Sequence, residues 1–274
     1  MNIIEMKNIS YRYPDGTPAL ENININVQEG KKVVFLGENG SGKSTLFLLL
    51  NGIYKPWKGE YFFKGIESGN NKKERQKLCL KAGVVFQDPD VQLFAPTVFQ
   101  EVAFAPGNMN LSAKTVKERT KKALEEVDLY HLKDRPPHYL SYGQKKRTAI
   151  ADILAMETEV IILDEPLVWL DSRHKKAAID LLDKLSAAGK TVIISTHDPD
   201  FACSWADYIY VLKEGKVFDG GTPGEVFADR EKIESAGLEY PLVKKIAHTL
   251  GLAKTPSDND ELLLMLEQYK KIKV

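Results

Sequence analysis

The run Gly37-Glu-Asn-Gly-Ser-Gly-Lys-Ser-Thr45 carries the spacing G-x-x-x-x-G-K-[ST]. In that spacing successive backbone N–H groups and the N-terminus of the next helix surround phosphate oxygens, and the lysine adds positive charge. Side chains at Gly37, Gly40 and Gly42 would obstruct the approach, so glycine is needed there. Further along, Val160-Ile-Ile-Leu163 ends in Asp164 and Glu165, two carboxylates at the carboxyl end of an apolar strand, where open α/β sheets bind ligands. Asp164 is placed to hold Mg²⁺ through water, and Glu165 to polarise an attacking water. His197 follows Thr191–Thr196, which reads as a buried strand, and precedes Asp198-Pro199. Together these residues point to a nucleotide held by its phosphates beside a water-activating carboxylate.

Such residues must be positioned by strand, loop and helix in that order. Lys32–Leu36 reads as a buried strand before the glycine loop and residues 44–51 as a helix after it, the context this loop requires. Residues 3–13 and 19–27 read as strands. The second alternates Ile23, Ile25 and Val27 with Asn24 and Asn26, as in an antiparallel pair with one wet face. Residues 59–64 form another short strand. Residues 88–139 depart from strand and helix alternation and read as helical, over 97–105 and 112–127, before a turn-rich stretch ending Pro136-Pro137. Ser141, in Leu140-Ser-Tyr-Gly-Gln144, is expected to cap the helix that leaves this loop, whose dipole turns positive charge outward. A helix over 173–188 completes the core. The fold class is α/β with a P-loop and a mostly parallel sheet, an antiparallel β-subdomain, and a helical subdomain at about residues 88–155. After residue 221 come two helical stripes, Leu242, Val243, Ile246, Ala247 and Leu250 behind Pro241, and residues 262–266 behind Asp258-Asn-Asp260. These stripes need a surface to cover, either the chain's own core or a second subunit.

Composition narrows the setting. Thirty-eight basic residues balance 38 acidic ones, so no net positive field draws the chain to nucleic acid. The apolar runs fall far short of the roughly 20 residues that span a bilayer, and no signal peptide opens the chain. Cys79 and Cys203 form no C-x-x-C pattern and read as reduced structural thiols, as in the cytoplasm.

The glycine loop, Leu140-Ser-Tyr-Gly-Gln144, the strand ending in Asp164-Glu165 and the strand ending in His197, taken in that order, resemble the ATP-binding subunits of ABC transporters over about residues 3–221. The resemblance implies an ATPase that uses ATP and Mg²⁺. Gly37, Asn39, Gly40, Ser41, Gly42, Lys43, Ser44 and Thr45 then bind ATP, with Lys43 on the β- and γ-phosphates and Ser44 on Mg²⁺. Gln87, closing the strand at 83–86, becomes the glutamine that senses Mg²⁺ and contacts the membrane partner. Ser141, Gly143 and Gln144 form the signature loop, which completes the ATP site of the opposite subunit. Asp164 holds the metal, Glu165 is the catalytic carboxylate, Asp171 the D-loop aspartate and His197 the switch histidine. Tyr13 stands where the family places an aromatic ring on adenine. Tyr11 is its rival, and the turn Pro14-Asp15-Gly16 directly after Tyr13 favours the latter.

Residues 85–104 look like the corresponding region of energy-coupling-factor importers, which take up cobalt, nickel or water-soluble vitamins. That likeness implies a groove for a membrane subunit, with Leu93, Phe94, Val98 and Phe104 as apolar contacts. It implies as partners a second ATPase subunit, identical or related, a transmembrane coupling subunit and a substrate-binding membrane subunit. The chain would then lie peripherally on the cytoplasmic face of the membrane, with residues 222–274 as a mainly helical extension suited to dimerisation. The alternatives are the ATPase of another ABC transporter class, or a soluble ABC ATPase without a transport role. Two positions depart from the family pattern. Tyr142 replaces the first glycine of the signature, and Leu167-Val-Trp169 replaces a small, flexible segment. The tyrosine either obstructs the partner's ATP or donates a hydrogen bond to one of its phosphate oxygens.

Overall fold

The computed structural model describes residues 1–168, 170–252, 256 and 258–272, with side chains through residue 267. Trp169 therefore lies outside the described residues. Alternation builds the first sheet. Strands β1 (Asn2–Arg12) and β2 (Pro18–Gln28) pair antiparallel, with Ile23, Ile25 and Val27 buried and Asn24 and Asn26 exposed. A one-residue slip would turn that apolar set to water, so the register is fixed by burial. Strand β3 (Lys32–Leu36) belongs to the other sheet, while β4 (Lys58–Phe63) and β5 (Ile66–Glu67) complete the first in the order β2-β1-β4-β5.

Strands β6 (Ala82–Val85), β7 (Val160–Leu163), β8 (Thr191–Thr196), β9 (Tyr208–Lys213) and β10 (Lys216–Gly221) join β3 in the order β10-β9-β3-β8-β7-β6. All neighbours are parallel except the edge pair β9 and β10. Both faces of this sheet are covered, which is why β3 and β7 are unbroken or nearly unbroken apolar runs rather than alternating ones, and why β8 is buried along its whole length. The chain leaves β3, β6, β7 and β8 at the same edge of the sheet. The glycine loop, Gln87, Asp164-Glu165 and His197 therefore converge although up to 160 residues separate Gly37 from His197.

Helices Val98–Gly107, Ala113–Glu126 and Tyr142–Met156 pack on one another. Their N-termini are capped by Thr97, Ser112 and Ser141, each accepting a backbone N–H three residues on, a contribution of about 1 kcal/mol apiece. Val98 and Val102 are fully buried between them. Val98 is thus core and is removed from the set of expected groove contacts, and Leu93 is partly buried against the same cluster. Phe94 and Phe104, by contrast, are 67% and 53% exposed and meet edge to face at 4.9 Å.

The residues just beyond 221 still contribute to the core. Val226, Phe227, Ile233, Ala236 and Leu238 join the same apolar cluster as β3, β7 and β8. Farther on, Val243, Ala247 and Leu262 are buried, whereas Leu242, Leu263 and Leu264 face outward. The expected stripe is therefore split, because Leu242 opens the helix Leu242–Thr249 on its outer side. Both cysteines are free, and burial pushes the Cys203 thiol up to about 11. No helix among the described residues is long and apolar enough to cross a membrane.

Candidate active site

Gly37 and Gly42 show why the loop after β3 needs glycine. A Cβ at Gly37 would lie 2.5 Å from the Leu212 carbonyl oxygen, and one at Gly42 would lie 2.8 Å from Leu20 on a backbone with φ of 102°. That left-handed turn lets the helix Lys43–Leu50 begin directly. The Lys43 ammonium donates to the carbonyl oxygens of Gly37 at 2.7 Å and Glu38 at 3.0 Å, and lies 3.7 Å from Glu165 Oε1. Burial lowers its pKa, and the carboxylates of Glu165 and Asp164 oppose that shift. A positive charge is thereby held at the centre of a loop built to surround an anion.

A cavity of about 700 Å³ opens over this loop, within the range of small-molecule sites. Tyr13, Asn39, Gly40, Gly42, Lys43, Ser44, Thr45, Gln87, Asp164 and Glu165 all line it. Tyr13 presents its ring at the mouth, 37% exposed, and its hydroxyl shares a 2.6 Å hydrogen bond with Thr45 Oγ1. Tyr11 is buried and stacked on Tyr54 at 4.8 Å. Of the two rings only Tyr13 faces the cavity. Gly37 and Ser41, though part of the loop, do not line the cavity, and Ser41 is 6% exposed.

Asp164 and Glu165 are both buried. Ser195, next to the carboxyl end of β8, donates to Asp164 Oδ1 at 2.5 Å and accepts the Glu165 N–H at 2.8 Å. One hydroxyl thus fixes the Asp164 carboxylate and the Glu165 backbone. Glu165 has φ of 45°, a left-handed conformation costing about 1–3 kcal/mol for a residue with a side chain. His197 Nδ1 reaches Glu165 Oε1 at 3.2 Å from the other side, with its own ring 55% exposed. Glu165 is thus held between Lys43 and His197, while Asp164, Gln87 and Ser44 offer oxygens to the same space. Mg²⁺ is a hard cation that takes one or two carboxylates together with hydroxyl, water and phosphate oxygens, so this donor set fits it.

The remaining expected residues stand apart. Ser141 and Gln144 form a reciprocal capping box, with Gln144 N donating to Ser141 Oγ at 3.3 Å and Ser141 N to Gln144 Oε1 at 2.9 Å. Neither they nor Gly143 line the cavity of this chain. Asp171 caps the helix Ser172–Ala187, accepting from His174 N at 2.9 Å. Tyr142 turns back onto its own chain, its hydroxyl donating to the Gln87 carbonyl oxygen at 2.8 Å. Lys146 is 2% exposed and donates to the same oxygen at 2.5 Å; burial lowers its pKa to about 8.

Several lining residues escape sequence reasoning. Leu20, Glu21, Glu214 and Gly215 close the cavity on one side, tied by the Glu21 N–H to Gly215 carbonyl bond at 2.9 Å and the Gly215 N–H to Ser41 carbonyl bond at 3.1 Å. The Glu214-Gly215 turn between apolar strands was the available signal.

Comparison with known proteins places the chain in a family. The family described as ABC transporter matches residues 20–168. A putative ABC transporter ATP-binding protein of Methanosarcina mazei is 50% identical over 92% of this chain, which spans only 56% of that relative's length. The energy-coupling factor transporter ATP-binding protein EcfA of Carboxydothermus hydrogenoformans is 46% identical over 98% of this chain and 99% of its own. Among solved structures, cbiO1 of Clostridium perfringens, described as part of the ABC transporter complex cbiONQ, superposes with a TM-score of 0.76 at 42% identity, covering 92% of this chain and 99% of that one. The chain is an ABC-type ATPase and belongs to the ATP-binding subunits of ABC transporters, among those of the energy-coupling-factor type.

Proposed function

We propose that two such ATPase subunits, identical or related, sandwich two ATP molecules head to tail, hydrolyse them, and drive an energy-coupling-factor importer for a metal ion such as cobalt or nickel, or for a vitamin. The observation that carries this reading is the division of the site. One cavity gathers the phosphate loop, Gln87, Asp164 and Glu165, while Ser141 and Gly143 lie outside it with the helix N-terminus exposed. A loop of that kind is fitted to a phosphate arriving from another subunit.

In this mechanism the loop amides and Lys43 hold the β- and γ-phosphates. Mg²⁺, when bound beside Ser44, Gln87 and Asp164, neutralises phosphate charge. Glu165 orients water for in-line attack, with His197 fixing the carboxylate and Ser195 fixing its backbone. Ser141 and Gly143 of the opposite subunit stabilise the charge that develops. Phosphate release from ATP by the purified chain, together with the membrane proteins recovered with it from its native host, tests the reading. Recovery with ribosomes or chromosomes in place of membrane proteins would defeat it.

Two further results are expected. Tyr13→Ala should weaken ATP binding by about 1–3 kcal/mol if the ring stacks on adenine as aromatic side chains stack on bases. Tyr11→Ala should instead lower the melting temperature, since its ring is packed on Tyr54. Equilibrium titration and thermal unfolding separate the two. At the outer face, Phe94→Asp or Phe104→Asp should leave the isolated chain folded and hydrolysing ATP but abolish uptake by the reconstituted transporter. Val98→Asp should fail to fold, because it buries an unpaired charge. Loss of solubility in the phenylalanine variants would assign those rings to the core.

A further inference from the structure

The first turn of the helix Tyr142–Met156 is fastened to the loop that carries Gln87 at three points. Tyr142 Oη donates to the Gln87 carbonyl oxygen at 2.8 Å. Lys146 Nζ donates to that oxygen at 2.5 Å and to the Phe86 carbonyl oxygen at 3.0 Å. Lys145 pairs with Asp90 at 2.5 Å. The i, i+4 spacing brings Tyr142 and Lys146 onto one face of the helix, and their side chains lie together, the ammonium 6.0 Å from the ring centre. The helix N-terminus is already capped by Ser141 and Gln144, so these two side chains are not spent on capping. A nearly buried ammonium is costly unless acceptors receive it, and the carbonyl oxygens of residues 86 and 87 are the acceptors present.

We propose that Tyr142 and Lys146 are positioning residues that grip the Gln87 carbonyl and so set where the Gln87 amide stands in the nucleotide cavity. The inference rests on the reading of Gln87 as a ligand to nucleotide-bound Mg²⁺. Tyr142 is then no obstruction to a partner's ATP, because its hydroxyl is engaged within its own chain. It ties the loop that meets the partner's nucleotide to the loop that meets this chain's own. Any rotation of the signature helix must either carry Gln87 with it or break two hydrogen bonds to a single oxygen.

The test compares affinity for a fluorescent ATP analogue with Mg²⁺ and with EDTA on the full chain, taking the ratio as the gain from metal. Tyr142→Phe keeps the ring and removes one hydroxyl. It should lower that gain about 3- to 10-fold, the range of one hydrogen bond, while affinity in EDTA and the melting temperature stay unchanged. Lys146→Gln should act in the same direction, and the double variant should lose less than the two separate losses combined, because both groups serve one oxygen. Gln87→Ala sets the floor. A reduced gain in Gln87→Ala beside an unchanged gain in Tyr142→Phe would overturn the grip alone. An unchanged gain in Gln87→Ala would overturn the metal reading of Gln87 and the grip with it. Tyr142→Phe decides the matter even if Lys146→Gln does not fold.

Discussion

Glu165→Gln is expected to reduce ATP turnover by about 10²–10⁴-fold, the range for loss of a positioned general base, and to leave ATP binding in place. The glutamine keeps the size of the side chain and an oxygen for His197 to meet, but it cannot accept the proton of an attacking water. The binding contacts lie elsewhere, in the loop amides and in Lys43, which donates to Gly37 and Glu38 carbonyl oxygens independently of Glu165. Removing the charge 3.7 Å from Lys43 should strengthen the lysine's hold on phosphate. The variant should therefore accumulate an ATP-bound dimer, seen as a shift to larger size on a sizing column with ATP and Mg²⁺. Phosphate release at the wild-type rate would remove Glu165 from the catalytic role.

How much of this site is legible in the sequence depends on whether the chemistry is local. The glycine loop needs nine adjacent residues, so it is read directly. Ser141 and Gln144 are three apart, and their capping box follows from a one-turn rule. Asp164, Glu165 and His197 are legible because each ends an apolar strand, and a parallel sheet brings such ends to one edge. Ser195 is not legible. A serine inside a buried strand carries no sign of which neighbour it will meet, and only the pairing of β7 with β8 sets it beside Asp164. Glu214-Gly215 reaches the cavity through β9 and β10, whose place beside β3 is a fact of topology. Val98 and Phe104 look alike as apolar residues of one helix, and burial separates them only once that helix packs against its two neighbours. At Tyr142 the sequence records bulk at a position suited to glycine. The direction of the side chain decides whether that bulk meets the partner or turns inward, and the acceptor at Gln87 turns it inward.

Lys43→Ala should weaken ATP binding by at least about 100-fold. Two charge-assisted contacts to phosphate oxygens, at about 1.5–3 kcal/mol each, would be lost, and the truncation has a second consequence. Lys43 pairs with Glu165 Oε1 at 3.7 Å, and Asp164 and Glu165 are both buried. Without it, Glu165 loses a buried ion-pair partner just where the phosphates arrive, and breaking a buried pair by removing one partner is strongly unfavourable. Lys43→Arg keeps the charge but not the reach, since a planar guanidinium does not fit a loop whose carbonyl oxygens converge on one ammonium. Its affinity should fall between those of the wild type and Lys43→Ala. Equilibrium binding of ATP measured at low and high salt checks the account, because a contribution from charge shrinks as salt screens it. Equal affinities in all three proteins would mean that the loop amides alone hold the phosphates.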